Sequence, residues 1–109
     1  MSDEHQSIRN DFHDAVNMAP QELEDFLATA ASKDVGQKDD GGESAGHESG
    51  RRIVKLLRTK VDDLTQDDYA HMKKVVGYVA RHTAQRPTGD VSDSPWRYSL
   101  MNWGHDPQK

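Results

Sequence analysis

Large apolar residues in this chain return every three or four positions in several short stripes, and one glycine-rich stretch, residues 33–50, carries almost none. That pattern points to short amphipathic helices around a small core, divided by a connection in the middle. Ile8, Phe12, Ala15 and Val16 share one helical face, so a first helix is expected over residues 3–17. Pro20 suits the first position of a second helix, whose stripe is Leu23, Phe26, Leu27 and Ala30. Its acidic first turn agrees with the helix dipole, and the two helices form a hairpin joined at Met18-Ala19. The stretch that follows, KDVGQKDDGGESAGHESG, holds five glycines and a single branched apolar residue, Val35, and predicts a flexible loop.

Ser49-Gly50 is placed to cap a third helix over residues 50–59, with Ile53, Val54, Leu57 and Val61 on one side. Arg51, Lys55 and Arg58 line the other side, with Arg52 beside them. Thr65 and Asp68 read as an imperfect capping box for a fourth helix over residues 66–85. Its core face is Tyr69, Met72, Val75, Val76, Val79 and Thr83; the opposite face presents His71, Lys74, Tyr78, Arg81, His82 and Gln85. Gly77 in mid-helix is explained either by a close backbone contact or by tolerance of its cost. Pro87 and Thr88-Gly89-Asp90 end that helix in a turn. A last short helix starts at the Ser94-Pro95 cap and ends before Gly104; Trp96, Tyr98, Leu100, Met101 and Trp103 make it the plug of the core.

The fold class expected is therefore all-α, with about four helices, a short aromatic C-terminal helix and a long central loop. The 109 residues make one domain: an acidic helical hairpin (1–32), a glycine-rich loop (33–50), a basic helix pair (51–86) and an aromatic segment (87–109). Only 33% of the residues are apolar, so the core must be small. The chain has no cysteine, which removes disulfides and thiolate chemistry. Its N-terminus lacks the apolar run of a secretory signal, and no apolar stretch is long enough to cross a membrane, so a soluble cytoplasmic protein is expected.

Charge is laid out unevenly. Residues 1–50 hold three basic and twelve acidic side chains, whereas residues 51–86 hold nine basic and four acidic ones, within a net charge of −5. A basic block in an acidic chain implies either an anionic partner or an internal clasp between the halves.

Several stretches together carry a family likeness: Asp11-Phe12-His13-Asp14-Ala15-Val16-Asn17-Met18, Gly46-His47-Glu48-Ser49-Gly50-Arg51-Arg52-Ile53-Val54, Asp68-Tyr69-Ala70-His71-Met72, Lys74-Val75-Val76-Gly77-Tyr78-Val79 and Trp96-Arg97-Tyr98-Ser99-Leu100-Met101-Asn102-Trp103-Gly104-His105-Asp106-Pro107. The chain resembles a family of small microbial proteins filed as a domain of unknown function, whose members often carry the label "DNA-binding protein". The resemblance implies DNA as a class of partner and brings no catalytic motif.

The candidate interface is the basic surface of the third and fourth helices. Arg51, Arg52, Lys55, Arg58, Lys74 and Arg81 are expected to neutralise phosphates. Ser49 and the free N–H groups at the start of the third helix add an anion nest, and Tyr78 and His82 are candidates to stack on bases. A pI of about 5.6 counts against a dedicated binder, for which values above 9 are usual. The expected function is non-catalytic, weakly sequence-specific DNA binding; the alternative is a protein–protein or homodimerisation module with a seam at Trp96 and Trp103.

Enzymatic chemistry has little to stand on. Residues 41–50 lack the Gly-Lys-Ser/Thr ending of a phosphate-binding loop and follow no apolar strand. His71 and His82 are eleven positions apart, about 16 Å along a helix, too far to share a metal. His13-Asp14 and His105-Asp106 can meet only by a tertiary contact, and Ser44, Ser49, His47 and His13 show no triad spacing. No cofactor is expected.

Overall fold

The computed structural model describes residues 3–35 and 45–109. Among them are six α-helices and no strand: α1 (Asp3–Ala15), α2 (Pro20–Leu27), α3 (Ala30–Val35), α4 (Ala45–Leu57), α5 (Gln66–Thr83) and α6 (Pro95–Asn102), with a 3₁₀ turn at Val61–Asp63. The all-α expectation holds. Residues 36–44, the middle of the expected loop and including Ser44, lie outside the described residues.

The apolar stripes meet as their spacing requires. α1 packs along α5, α2 along α4, and α3 against α6. Phe12, Leu23, Ile53, Val75 and Leu100 are fully buried where these pairs converge, joined by Met72 and Val91. Trp96 and Trp103 are also buried, so α6 closes the core as expected.

Caps set the helix ends. The Thr65 side chain accepts the Asp68 N–H at 3.2 Å and Asp68 Oδ2 accepts the Thr65 N–H at 3.0 Å, so the box at the start of α5 is complete. Ser94 accepts the Arg97 N–H at 3.1 Å to start α6. The end of α6 is a Schellman motif: the His105 N–H donates to the Leu100 carbonyl and the Gly104 N–H to that of Met101, at 3.0 and 2.9 Å. Gly104 has φ +83°, and a side chain there would meet Val16 at 2.9 Å, so glycine is required on both counts.

Several boundaries differ from expectation. α1 stops at Ala15 because Asn17 is taken by the C-terminal segment: it donates to the Asp106 carbonyl and accepts the Asp106 N–H, at 3.0 and 2.7 Å. The stripe through Ala30 is two helices, because the Thr29 hydroxyl donates to the Phe26 carbonyl at the end of α2 and accepts the Ser32 N–H at the start of α3. That second helix extends into the stretch expected to be loop. Val61 falls beyond α4, which ends at Leu57, and is half exposed instead of on the apolar side.

The largest difference is the start of α4, five residues before the expected one. Gly46 and Gly50 lie inside the helix because neighbours come too close for a side chain. A Cβ on Gly50 would stand 2.5 Å from the Asn102 carbonyl oxygen and 2.6 Å from Leu27, and one on Gly46 would stand 3.2 Å from Trp103 Nε1. Each glycine costs a helix about 1 kcal/mol relative to alanine, and here close packing offsets that cost. At Gly77 only the flexible end of Arg81 is near, so that glycine is tolerated and not needed.

Candidate anion-binding groove

α4 and α5 present their polar faces to a groove made of two clefts that share Glu48 and Arg52. One, of about 370 Å³, is lined by Glu48, Arg51, Arg52, Lys55, Leu56, Thr59 and Asp68. The other, of about 270 Å³, is lined by Glu48, Ser49, Arg52, His71 and Lys74. Helical spacing explains the convergence: Arg51 and Lys55 are one turn apart on α4, and Lys74 follows His71 by one turn on α5.

Four of the six expected cations, Arg51, Arg52, Lys55 and Lys74, thus line one groove. The other two do not. Arg58 turns to Glu24 of α2 at 3.2 Å, and Arg81 lies seven residues beyond Lys74, folded over Gly77. Arg52 meets Asp68 at 3.3 Å. The Arg58–Glu24 pair is solvent-exposed, a setting in which a pair contributes about 0–1 kcal/mol, and the part-buried Arg52–Asp68 pair is a single bond, so neither removes the guanidinium from reach of a stronger anion. Lys55, Lys74 and Arg81 make no ion pair among the described residues. Asp68 is held below the usual carboxylate range by the Thr65 N–H, with Arg52 adding to the effect over the opposing pull of burial.

Ser49 is not a cap. It lies in the second turn of α4, buried, with its hydroxyl 2.9 Å from His71 Nε2. The anion nest expected from free N–H groups beside Ser49 therefore does not form there; the residue joins the groove through its side chain. His71 is pushed down to about 4, first by burial and then by the positive charges of Arg52 and Lys74, with Asp68 opposing. It is neutral at physiological pH. Such a weak base, with no carboxylate hydrogen-bonded to its other ring nitrogen among the described residues, makes a poor nucleophile-activating pair.

Tyr78 and His82 do not face solvent on an opposite side of α5. Tyr78 stacks on Trp103 at 4.3 Å and on His82 at 5.0 Å, so both ring faces are occupied, and burial raises its phenol. His82 lies over Trp96, Arg86 stands 5.4 Å from the Trp96 ring, and His71 stacks on Trp103. The ladder His71–Trp103–Tyr78–His82–Trp96 thus joins α5 to α6. Spacings of seven and four along α5 were the available signal for this buried face; the polar residue types concealed it.

The rest of the C-terminal motif is also engaged within the chain. Arg97 binds Asp106 through two hydrogen bonds of 3.0 and 3.1 Å and donates to the Ser92 carbonyl. Asn102 bridges to Ser32 from its amide, and Ser32 donates back to its side-chain oxygen. Trp96 Nε1 donates to the His82 carbonyl and His105 Nδ1 to the Ala15 carbonyl, both at 2.7 Å.

A small helical domain with its charged groove on one side is thus the class defined by the fold. Residues 11–101 match the family described as a protein of unknown function, DUF3140, and the chain belongs to that family. No curated protein and no solved structure matches the chain. Among the described residues no helix is long and apolar enough to cross a membrane, and no three His, Asp or Glu side chains are grouped to hold a metal.

Proposed function

We propose that the protein binds DNA without catalysis, contacting backbone phosphates through Arg51, Arg52, Lys55 and Lys74 in the α4–α5 groove. The observation that carries this reading is the meeting of four cations from two helices in contiguous clefts, with Lys55 and Lys74 free of carboxylate partners among the described residues. The acidic overall charge is compatible with it, because the acids are concentrated in the first fifty residues and the groove draws on the basic block. Contacts of this kind are electrostatic and carry little sequence preference. Arg58 and Arg81 join as outer contacts once DNA is engaged, Arg58 by exchanging its exposed carboxylate for phosphate.

A shift assay on duplex DNA at several salt concentrations tests this. With about four phosphates neutralised, log affinity falls against log salt with a slope near −3.6. R51A/K55A/K74A loses binding at least tenfold while keeping its helicity. Salt-independent binding, or none at low salt, removes the proposal.

A further inference from the structure

We infer that the cleft formed by Ser49, Arg52, His71 and Lys74 is a seat for a single phosphoryl group, and that filling it draws a proton onto His71. This deepens the reading of the groove as phosphate-binding and rests on it.

The geometry is that of an oxyanion site with a polar floor. The Ser49–His71 pair, 2.9 Å apart, closes the bottom of a cleft of about 270 Å³, and Arg52 and Lys74 stand over it from α4 and α5. The guanidinium spends one of its five N–H donors on Asp68, which leaves others for a ligand. Lys74 supplies a compact charge with three donors and no ion-pair partner among the described residues. Glu48 at the rim is the one carboxylate lining the cleft and opposes an anion; it is exposed and able to swing into water.

The charge state of the floor is linked to the seat. His71 faces Glu48, Ser49 and Arg52 from α4, Asp68 and Lys74 on its own helix, and the Trp103 ring from the C-terminal segment. Burial is the first cause of the neutral imidazole, and the two cations that add to it also attract a tetrahedral anion. Once such an anion sits between them, their repulsion on His71 is offset and imidazolium becomes favourable beside it. Linkage then requires affinity to rise as the pH falls from neutrality toward 5.

Inorganic sulfate, a tetrahedral dianion over this whole range, is the probe. The His71 ring resonance of the full chain, assigned by its loss in H71N, is titrated with pH in low salt with and without sulfate. Sulfate should move the His71 midpoint up by at least one pH unit and, by linkage, bind at least about twofold more tightly at pH 5 than at pH 7. K74Q should raise the midpoint without sulfate, because a repelling charge is gone, and should abolish the sulfate-induced rise; Lys74 is exposed, so the fold is kept. Duplex DNA with and without a 5′-phosphate separates the sources: tighter binding of the phosphorylated ends assigns a terminal phosphate, and equal binding assigns an internal diester. A His71 midpoint unmoved by sulfate, with duplex DNA still bound at a salt slope near −3.6, overturns the seat and leaves the groove reading standing. Loss of both overturns both.

Discussion

The groove between α4 and α5 and the C-terminal segment from Ser94 to Asp106 are both crowded with polar and charged side chains, yet they use them in opposite ways. In the C-terminal segment Arg97 is clamped by two bonds to Asp106, and the side chains of the pair are only 21% and 10% exposed. Burial pushes the Asp106 carboxyl up, but the Arg97 bonds and the Gln108 N–H outweigh it and keep it below its ordinary range. In the groove, Arg52 is 41% exposed and holds Asp68 by one bond, and Lys55 and Lys74 hold no carboxylate among the described residues. Residue type alone does not tell a clamped ion from one still open to a ligand. Saturation of its donors does.

Mutations should widen that contrast. The largest effect belongs to Arg97→Ala, which leaves the Asp106 carboxylate short of partners; about 2–3 kcal/mol of stability should be lost in urea unfolding, somewhat less than for a fully buried pair. Lys55→Ala, by comparison, should stay within about 0.5 kcal/mol of the parent while weakening DNA binding. Equal losses of stability from the two would erase the distinction. Next comes Gly50→Ala, where the contacts with Asn102 and Leu27 force a shift costing about 1–3 kcal/mol, again by urea unfolding.

Acidity probes the boundary between the two regions, since His71 touches both. The unfolded chain takes up this proton near 6.5 and the folded protein only near 4. Between those values the unfolded state holds more protons, so stability is full above about 6.5 and declines as pH falls toward 4. Discounted for solvent access, the loss is about 1–2 kcal/mol, and His71→Gln should flatten that part of the Tm–pH curve. The smallest effect is a gain: Gly77→Ala should add about 0.5–1 kcal/mol, because only the movable Arg81 side chain is near. A loss there would mean that this glycine, like Gly50, answers to a neighbour.

Much of the architecture was readable from spacing. Phe12, Leu23, Ile53, Val75 and Leu100 fall on the stripes that predicted them, and the Ser94-Pro95 and Thr65–Asp68 starts follow from local capping chemistry that needs no tertiary partner. What escaped depended on neighbours distant in sequence. Gly46 and Gly50 read as loop punctuation, whereas their reason lies in Trp103 and Asn102, more than fifty positions away. Of the candidate interface, Arg51 and Lys55 follow from a one-turn interval, but no periodicity foretells that Arg58 leans to α2 or that Ser49 faces His71. Tyr78 and His82 looked solvent-facing because their partners are distant aromatic rings, Trp103 just past α6 and Trp96 within it.

The clasp at Asn17 and Ala15, reaching 89 and 90 positions along the chain to Asp106 and His105, bears on how the protein is made. A polypeptide emerging from the ribosome presents its early helices long before the residues that lock them are translated. Until Asp106 clears the exit tunnel, α1 can pack along α5 but its end lacks this clasp, and α4 and α5 expose the apolar surface that Trp96, Leu100 and Trp103 later cover. Completion of the native state therefore waits until the C-terminal motif has been translated.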